Sequence, residues 1–385
     1  MISHTDVLIV GGGPIGASLA LALRDSGRRV LLIEARATRP DDARTLAISH
    51  GTALILRRLG ISMDSLDATP IESIHVSQRG GFGRTILRAT ELTLPALGYV
   101  VSYATLSKKL EEALLESGAS VVMGAKVETI KSTAAYGVAK ILVDDRLEEV
   151  TARLVVLADG GRSAEQVPGI TVTEYDYHQS ALVALVKTAT PASTMAYERF
   201  TPTGPLALLP FNGKYALIWT TSLQEALTLS NLETPVFLNQ LQTHFGAQSL
   251  RFTDAGPRAT FPLKLRYAKP VIGQSIALVG NAAQALHPVA GQGFNLGMRD
   301  VEALAKCIRE ETHESLGSRS MLSRYQALRG WDAGSGIAAT DFLVRGFSNT
   351  NPLLRSGRGI GLAALDLLPP ARKWLARKMM FGISG

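Results

Sequence analysis

Apolar positions along this chain fall into three textures. Unbroken apolar runs at Val7–Val10, Val30–Ile33, Leu154–Leu157 and Ile276–Val279 fit strands buried on both faces. Helical spacing follows at Ala17 to Asp25, stopped by Gly27, and at Leu106 to Leu115, bounded by Gly118. The stretch from Arg44 to Leu59 predicts a loop and then a helix that closes at Gly60. Val121 to Val127 and Ala139 to Val143 alternate as strands do. From Ile170 to Leu265 the texture changes to short strands, Ala181–Val186, Leu206–Leu209 and Tyr215–Trp219, punctuated by proline and glycine. That texture predicts an antiparallel sheet. The pattern therefore predicts an α/β nucleotide-binding domain of Rossmann type, interrupted by a mostly antiparallel β domain and followed by a helical extension. The boundaries read as 1–69, 98–169 and 266–310 for the first domain, 70–97 and 170–265 for the second, and 311–385 for the extension. No internal repeat or low-complexity segment is present.

Composition narrows the classes. At 385 residues the chain is long enough for two domains, and 46% hydrophobic with 19% charged residues is a folding composition. Its single cysteine, Cys307, sits in an apolar stretch, which predicts a buried structural thiol and excludes an internal disulfide or a cysteine-cluster metal site. No metal site is expected. The N-terminus runs directly into a strand, and no apolar run reaches the roughly 20 residues that cross a bilayer. A cytoplasmic protein is expected. The formal charge of +7 is uneven: seven basic and two acidic residues from Asp341 onward carry +5 of it. A basic, leucine-rich tail suits an anionic membrane surface, and it equally suits a helical cap whose charges are solvated. Nucleic acid is not expected, because the tail offers few aromatics and no recognised motif.

Gly11-Gly12-Gly13-Pro14-Ile15-Gly16 follows the first apolar run. A diphosphate carries negative charge close to the backbone, so it needs glycines that permit a tight turn and a helix N-terminus with unpaired N–H groups. Gly11, Gly13 and Gly16 have that spacing, with Pro14 opening the helix. Glu34 ends the next strand, where its carboxylate can accept hydrogen bonds from the adenosine ribose. An acid there disfavours a 2′-phosphate, so NADP suits this turn poorly. The motif alone does not separate FAD from NAD.

Two later segments bear on that choice. Leu154 to Ser163 is a buried strand leading through Asp159 and Gly160 into a polar turn. Gly280-Asn281-Ala282-Ala283-Gln284 follows a second buried strand and continues through His287-Pro288 to Gly291-Gln292-Gly293-Phe294-Asn295 and Asp300. Asn281 can hydrogen-bond a ribityl chain, and Gly291 and Gly293 let backbone approach a flat ring. A helix starting near Phe294 aims N–H groups at the N1–C2=O edge of a flavin, where negative charge collects on reduction.

With these three segments in order from about Asp6 to Asp300, the chain resembles the class A flavoprotein aromatic hydroxylases of the p-hydroxybenzoate hydroxylase type. Within them it is similar to the ubiquinone-biosynthesis hydroxylases. Asp42-Ala43-Arg44-Thr45-Leu46-Ala47-Ile48-Ser49 and Gly204 to Pro210 resemble their segments, and Arg44 matches their arginine near the flavin. Most members have Asp where this chain has Asn281, and the variant is similar to the branch of 2-polyprenyl-6-methoxyphenol hydroxylases (UbiH). A second departure is Ser102 after Val100-Val101, where members often carry an acid or amide.

The resemblance implies a p-hydroxybenzoate hydroxylase-like fold, FAD as cofactor, NAD(P)H as reductant without a nicotinamide domain of its own, and transfer of one oxygen atom from O2 to an electron-rich ring. The implied FAD contacts are Gly11, Gly13, Pro14, Gly16, Glu34, Arg44, Asp159, Gly160, Asn281, Pro288, Gly291, Gly293, Phe294 and Asn295. His287 is a candidate base for the phenol, against the plainer reading of a histidine packed beside Pro288. Phe211 and Trp219 are candidates for a pocket wall, against plain core packing, while Arg162 and Arg299 read as structural or solvent-facing, with cofactor contact as the alternative. The implied substrate is a polyprenylphenol, attacked at C1 in this branch and at C5 or C6 in sister enzymes. The basic tail is then the place for peripheral docking at the inner membrane. Other readings are a flavoenzyme without oxygen transfer, such as a prenyl reductase, and a flavin-stabilised assembly subunit working with other ubiquinone-biosynthesis proteins. A flavin halogenase lacks support, since no Trp-x-Trp-x-Ile-Pro segment occurs.

Overall fold

The computed structural model describes residues 4–38, 42–81, 83–133, 135–246, 250–286, 291–330, 334 and 352–382, with the side chains of 352–358 outside that description. The unbroken apolar runs become the centre of a sheet that has eight strands among the described residues. Ile276–Leu278, Arg146–Leu157, His4–Val10, Val30–Glu34 and Ser120–Met123 lie side by side and run parallel. Val7, Leu8, Ile9 and Leu154 to Leu157 are fully buried, as residues covered on both faces must be. Each such side chain contributes about 1.5–3 kcal/mol by leaving water.

Helix Pro14–Ala22 is buried almost all round, because it packs under both Tyr103–Glu116 and Gln292–Glu310. An antiparallel pair, Lys126–Ser132 and Gly137–Val143, extends the sheet from the Arg146–Leu157 strand. Ser102 accepts a hydrogen bond from the Thr105 N–H at 3.3 Å and so serves as N-cap of the Tyr103–Glu116 helix.

The second sheet has nine strands among the described residues and gathers Ser73–Gln78, Arg84–Arg88, Thr171–Thr188, Met195–Thr201, Gly204–Phe211, Lys214–Ser222 and Ala259–Lys269. Neighbours in it are antiparallel, except that Met195–Thr201 runs parallel to Ser73–Gln78. Two-residue strand Gln284–Ala285 pairs with Ala259–Lys269 and stitches the two sheets together just after Asn281. Helices Leu223–Asn231 and Thr234–Phe245 cover one face, where Trp219, Phe237, Leu241 and Phe245 form a separate core.

The C-terminal helices Pro352–Leu367 and Pro369–Phe381 do not stand away from the body. Ala376 and Met380 are buried with Leu87 and Leu97, and Leu362 is buried too. Arg372 grips both oxygens of Glu91 at 2.9 Å, and Asp366 accepts from the Ile86 N–H at 3.4 Å. The tail thus caps the body, its apolar side chains packing on the β domain, with Lys373 and Arg377 solvated and Arg372 paired. Ile360, Leu367, Leu368 and Trp374 remain exposed, near exposed Lys373 and Arg377. No helix among the described residues is long and apolar enough to cross a membrane.

Candidate functional site

A cavity of about 1850 Å³ runs from the glycine turn to the second sheet and the C-terminal helices. Its volume exceeds the about 300–1,000 Å³ of a pocket for one small ligand. A dinucleotide and a second molecule can share it.

At the first end the wall is backbone. Gly11 has φ +108°, and a Cβ there would meet the Ala158 carbonyl oxygen at 2.6 Å. A Cβ on Gly16 would sit 1.9 Å from the Gly11 oxygen, so helix and turn touch directly. Around a Cβ on Gly13 there is open space, and no side chain caps the Pro14–Ala22 helix. Its N-terminal amides are thus free to meet a diphosphate.

Glu34 lies on this wall, mostly buried. Its Oε2 accepts the Gly12 N–H at 2.8 Å, and its Oε1 accepts from the Arg36 backbone at 3.0 Å and side chain at 2.8 Å. Burial raises the pKa of this carboxyl, but the bonds from Arg36 and Gly12 outweigh it and hold the group below its ordinary value. Glu34 therefore stays charged, and part of its accepting capacity fixes the turn itself. Asp159 caps its own turn, accepting from the Gly161 N–H at 2.9 Å and the Ser163 N–H at 2.8 Å. Gly160 takes φ +77° in that turn.

In the middle of the cavity stand Asn281, Gly291, Gly293, Phe294 and Arg44. Asn281 is exposed and lines this part of the cavity. Gly291 has φ +59° and opens helix Gln292–Glu310, which again has no side-chain cap. Two uncapped helix N-termini thus face one cavity. Arg44 pairs with Asp42 at 2.5 Å and lies over the rings of Tyr103 and Phe261, at 5.2 and 5.7 Å.

Asn295 does not reach the cavity. Its amide nitrogen donates to Ala47 O at 3.1 Å and Gly291 O at 2.8 Å, and its oxygen accepts the Ser49 N–H at 2.8 Å. This side-chain amide holds the loop. His287 and Pro288 lie outside the described residues. Arg162 and Arg299 both border the cavity, Arg162 exposed and Arg299 half-buried.

At the far end the wall is side chain. Ile71, Ile74, Leu87, Leu209 and Ile218 from the β domain meet Leu362, Leu365, Trp374 and Met379 from the C-terminal helices. Trp219 and Phe211 do not line it. Trp219 is fully buried on the opposite face, its ring 4.7 Å from that of His244, while Phe211 packs by Ile71 and Val100. Strand alternation puts Ile218, one residue away, on the cavity side.

A buried polar cluster stands behind the middle of the site, joining Gly280, Gln284 and Asp300 of the third segment to Arg329 outside the motifs. Asp300 accepts the Gly280 N–H at 3.0 Å, the Gln284 amide at 2.9 Å and Arg329 Nε at 2.9 Å. Arg329 also donates to the Gln284 side chain, and the Tyr325 hydroxyl donates to Leu278 O at 2.7 Å. This cluster fixes the segment that presents Asn281. One signal pointed to it: Asp300 sits in the buried stripe of its helix, between Leu296 and Leu304. Among the described residues no group of His, Cys, Asp and Glu could hold a metal ion.

The FAD binding domain family matches residues 4–332. The chain is 34% identical to the ubiquinone hydroxylase UbiL of Rhodospirillum rubrum, over 97% of this chain and 89% of that one. It is 32% identical to the 3-demethoxyubiquinol 3-hydroxylase of Escherichia coli, over 94% and 95%. Among solved structures, the HpxO protein of Klebsiella pneumoniae in complex with FAD has a TM-score of 0.79 at 16% identity, covering 99% of this chain and all of that one.

Proposed function

We propose, on the premise that this chain belongs to the FAD binding domain family and is an FAD-dependent monooxygenase of p-hydroxybenzoate hydroxylase-like fold, that its substrate is a polyprenylphenol of ubiquinone biosynthesis. The observation that carries this reading is the continuity of the cavity. A glycine-built dinucleotide cleft opens into an apolar chamber roofed by the tail helices. FAD, when bound, supplies the redox chemistry, taking reducing equivalents from NAD(P)H and delivering one oxygen atom of O2 to the ring.

The protein's part is binding, orientation and exclusion of water. Gly11, Gly13, Pro14 and Gly16 receive the diphosphate, Glu34 the ribose, and Asp159 with Gly160 shapes the neighbouring turn. Asn281 receives the ribityl chain, with Gly291, Gly293, Phe294 and Arg44 at the ring. Pro288 is assigned to the same loop, and Asn295 holds it from behind. The uncapped helix at Gly291 favours negative charge at the flavin edge. The apolar chamber, formed by segments 70–97 and 170–265 with the tail, receives the phenol and its prenyl chain.

The finer assignment is 2-polyprenyl-6-methoxyphenol hydroxylated at C1, on the strength of Asn281 and the sequence around it. A sister reading, hydroxylation elsewhere on the ring, is favoured by the likeness to a 3-demethoxyubiquinol hydroxylase. The FAD-loaded enzyme, given NAD(P)H, labelled O2 and a short prenylphenol, is expected to yield a product heavier by one labelled oxygen atom. Fragmentation of the product then reports the ring position. Substrate consumed without label would remove the monooxygenase reading of this substrate, and stoichiometric FAD without turnover would favour an assembly subunit.

Such a substrate resides in a membrane, and exposed Ile360, Leu367, Leu368 and Trp374 beside Lys373 and Arg377 form a surface suited to peripheral docking at the inner membrane. A Trp374→Ser, Lys373→Glu, Arg377→Glu variant is expected to sediment with anionic liposomes at least about tenfold less than the parent. Equal sedimentation would refute the docking surface.

A further inference from the structure

Among the described residues, the apolar end of the cavity is lined by one carboxyl, that of Glu198. Glu198 lies in strand Met195–Thr201, opposite Val76 on one side and Ala207 on the other. Val76 in turn lies opposite Thr85, and Ala207 opposite Ile218. Thr85, Val76, Glu198, Ala207 and Ile218 therefore form one cross-strand row, and all five line the cavity. Two atoms in this row are buried without a hydrogen-bond partner: Glu198 Oε1 and Thr85 Oγ1.

Such groups are costly to leave unpaired in an apolar setting, so a ligand that satisfies them gains in affinity and specificity. Alternation turns the next residue, Arg199, away from the cavity toward Ser77 and the Phe245 ring, so it does not neutralise Glu198. The neighbouring strands present Ile74, Val76, Ala207 and Leu209 to the same space, and the tail helices add Leu362 and Lys378. Burial alone pushes the Glu198 carboxyl up to about 7, with no charged neighbour contributing.

We propose that the Glu198 carboxyl anchors the ring hydroxyl of the phenolic substrate by accepting its hydrogen bond, with Thr85 two strands further along the row. This rests on the polyprenylphenol reading and specifies how the chamber orients the ring. The prenyl chain then lies along the apolar remainder, and a ring without a free hydroxyl leaves the carboxyl unsatisfied. Glu198 thus sets specificity for phenols over their ethers.

The test measures binding of 2-geranyl-6-methoxyphenol and of its methyl ether to the FAD-loaded enzyme by fluorescence quenching. At pH 8.5, above the Glu198 pKa of about 7, Glu198→Ala is expected to weaken the phenol about 30-fold, the loss of one hydrogen bond to a charged group. Ether affinity is expected to stay within about twofold, as no hydrogen bond to it is lost. Glu198→Gln keeps an acceptor and should retain part of the preference. Equal weakening of phenol and ether would show a merely structural role and overturn the assignment, as would a phenol affinity unchanged in Glu198→Ala. If the parent enzyme hydroxylates the prenylphenol with labelled O2 yet binds phenol and ether alike, the anchor falls and the substrate class stands. If it hydroxylates no prenylphenol, the substrate class falls and the anchor falls with it.

Discussion

At one end of the cavity the wall is main chain, made of the Gly11–Gly16 turn, the Asp159 turn and two helix N-termini that no side chain caps. At the other end it is side chain, projected by alternate residues of a β-sheet and by two helices from the far end of the sequence. Main chain recognises what all dinucleotides share, a diphosphate and a polar edge, and at Gly11 and Gly16 it tolerates no added Cβ. Side chains recognise what distinguishes one substrate from another, and they can change without disturbing the sheet. The two ends should therefore respond to mutation in different ways.

The largest effect is expected behind the main-chain end. Asp300→Ala leaves Arg329 charged, only 7% exposed and without its carboxylate partner, and it releases the Gly280 N–H. A loss of about 3–5 kcal/mol in stability is expected, with loss of bound FAD, as chemical denaturation of the protein would show. A variant as stable as the parent would mean that the Asn281 segment does not depend on this cluster.

Gly16→Ala comes next. The added Cβ meets the Gly11 oxygen at 1.9 Å, so helix and turn must part. FAD affinity should fall about 100-fold, or roughly 3 kcal/mol, in a titration of the apoprotein. Ile218→Ala, at the side-chain end, should leave FAD affinity within about twofold, since it removes no main-chain contact. Similar losses of FAD in both would erase the distinction between the ends.

The smallest effect concerns pH. The Glu198 carboxyl moves from an ordinary 4.5 to about 7 on folding, so the folded state holds its proton more tightly than the unfolded state. Stability from this group is complete below about pH 4.5 and declines as pH rises through about 7. Glu198→Gln lacks this slope and should be more stable than the parent at pH 8 by about 1–3 kcal/mol, the upper figure discounted for water in the cavity. Parallel melting-temperature profiles for the two proteins from pH 4.5 to 8 would contradict the buried, unpaired state of the carboxyl.

The same contrast explains what could be read from the sequence. Gly11, Gly13, Gly16 and Glu34 are legible because only certain residue types permit the backbone path, and that path is local. The parallel sheet was legible for a similar reason, since strands buried on both faces must be continuously apolar. Trp219 and Ile218 show where legibility stops. Both faces of their strand are apolar, one packing on helices and the other on a cavity, so alternation says that faces differ without saying which is which. Asn295 shows a further limit: its side-chain amide bonds Ala47, Ser49 and Gly291, partners that no spacing in the sequence announces. Arg329 belongs to the site through Asp300, twenty-nine residues earlier in the chain, and no spacing rule links them. The tail was amphipathic on its face, but its partner surface on Leu87 and Leu97 comes from a segment nearly three hundred residues away.

The most direct test is a crystal structure of the enzyme with FAD and a short prenylphenol bound together. The account predicts the diphosphate at the Gly13–Pro14 helix end, the flavin ring between Arg44 and Gly291–Phe294, and the phenol in the chamber walled by Glu198, Leu209 and Ile218. A phenol bound outside that chamber, or a flavin ring occupying it while the Gly291 end stays vacant, would contradict it.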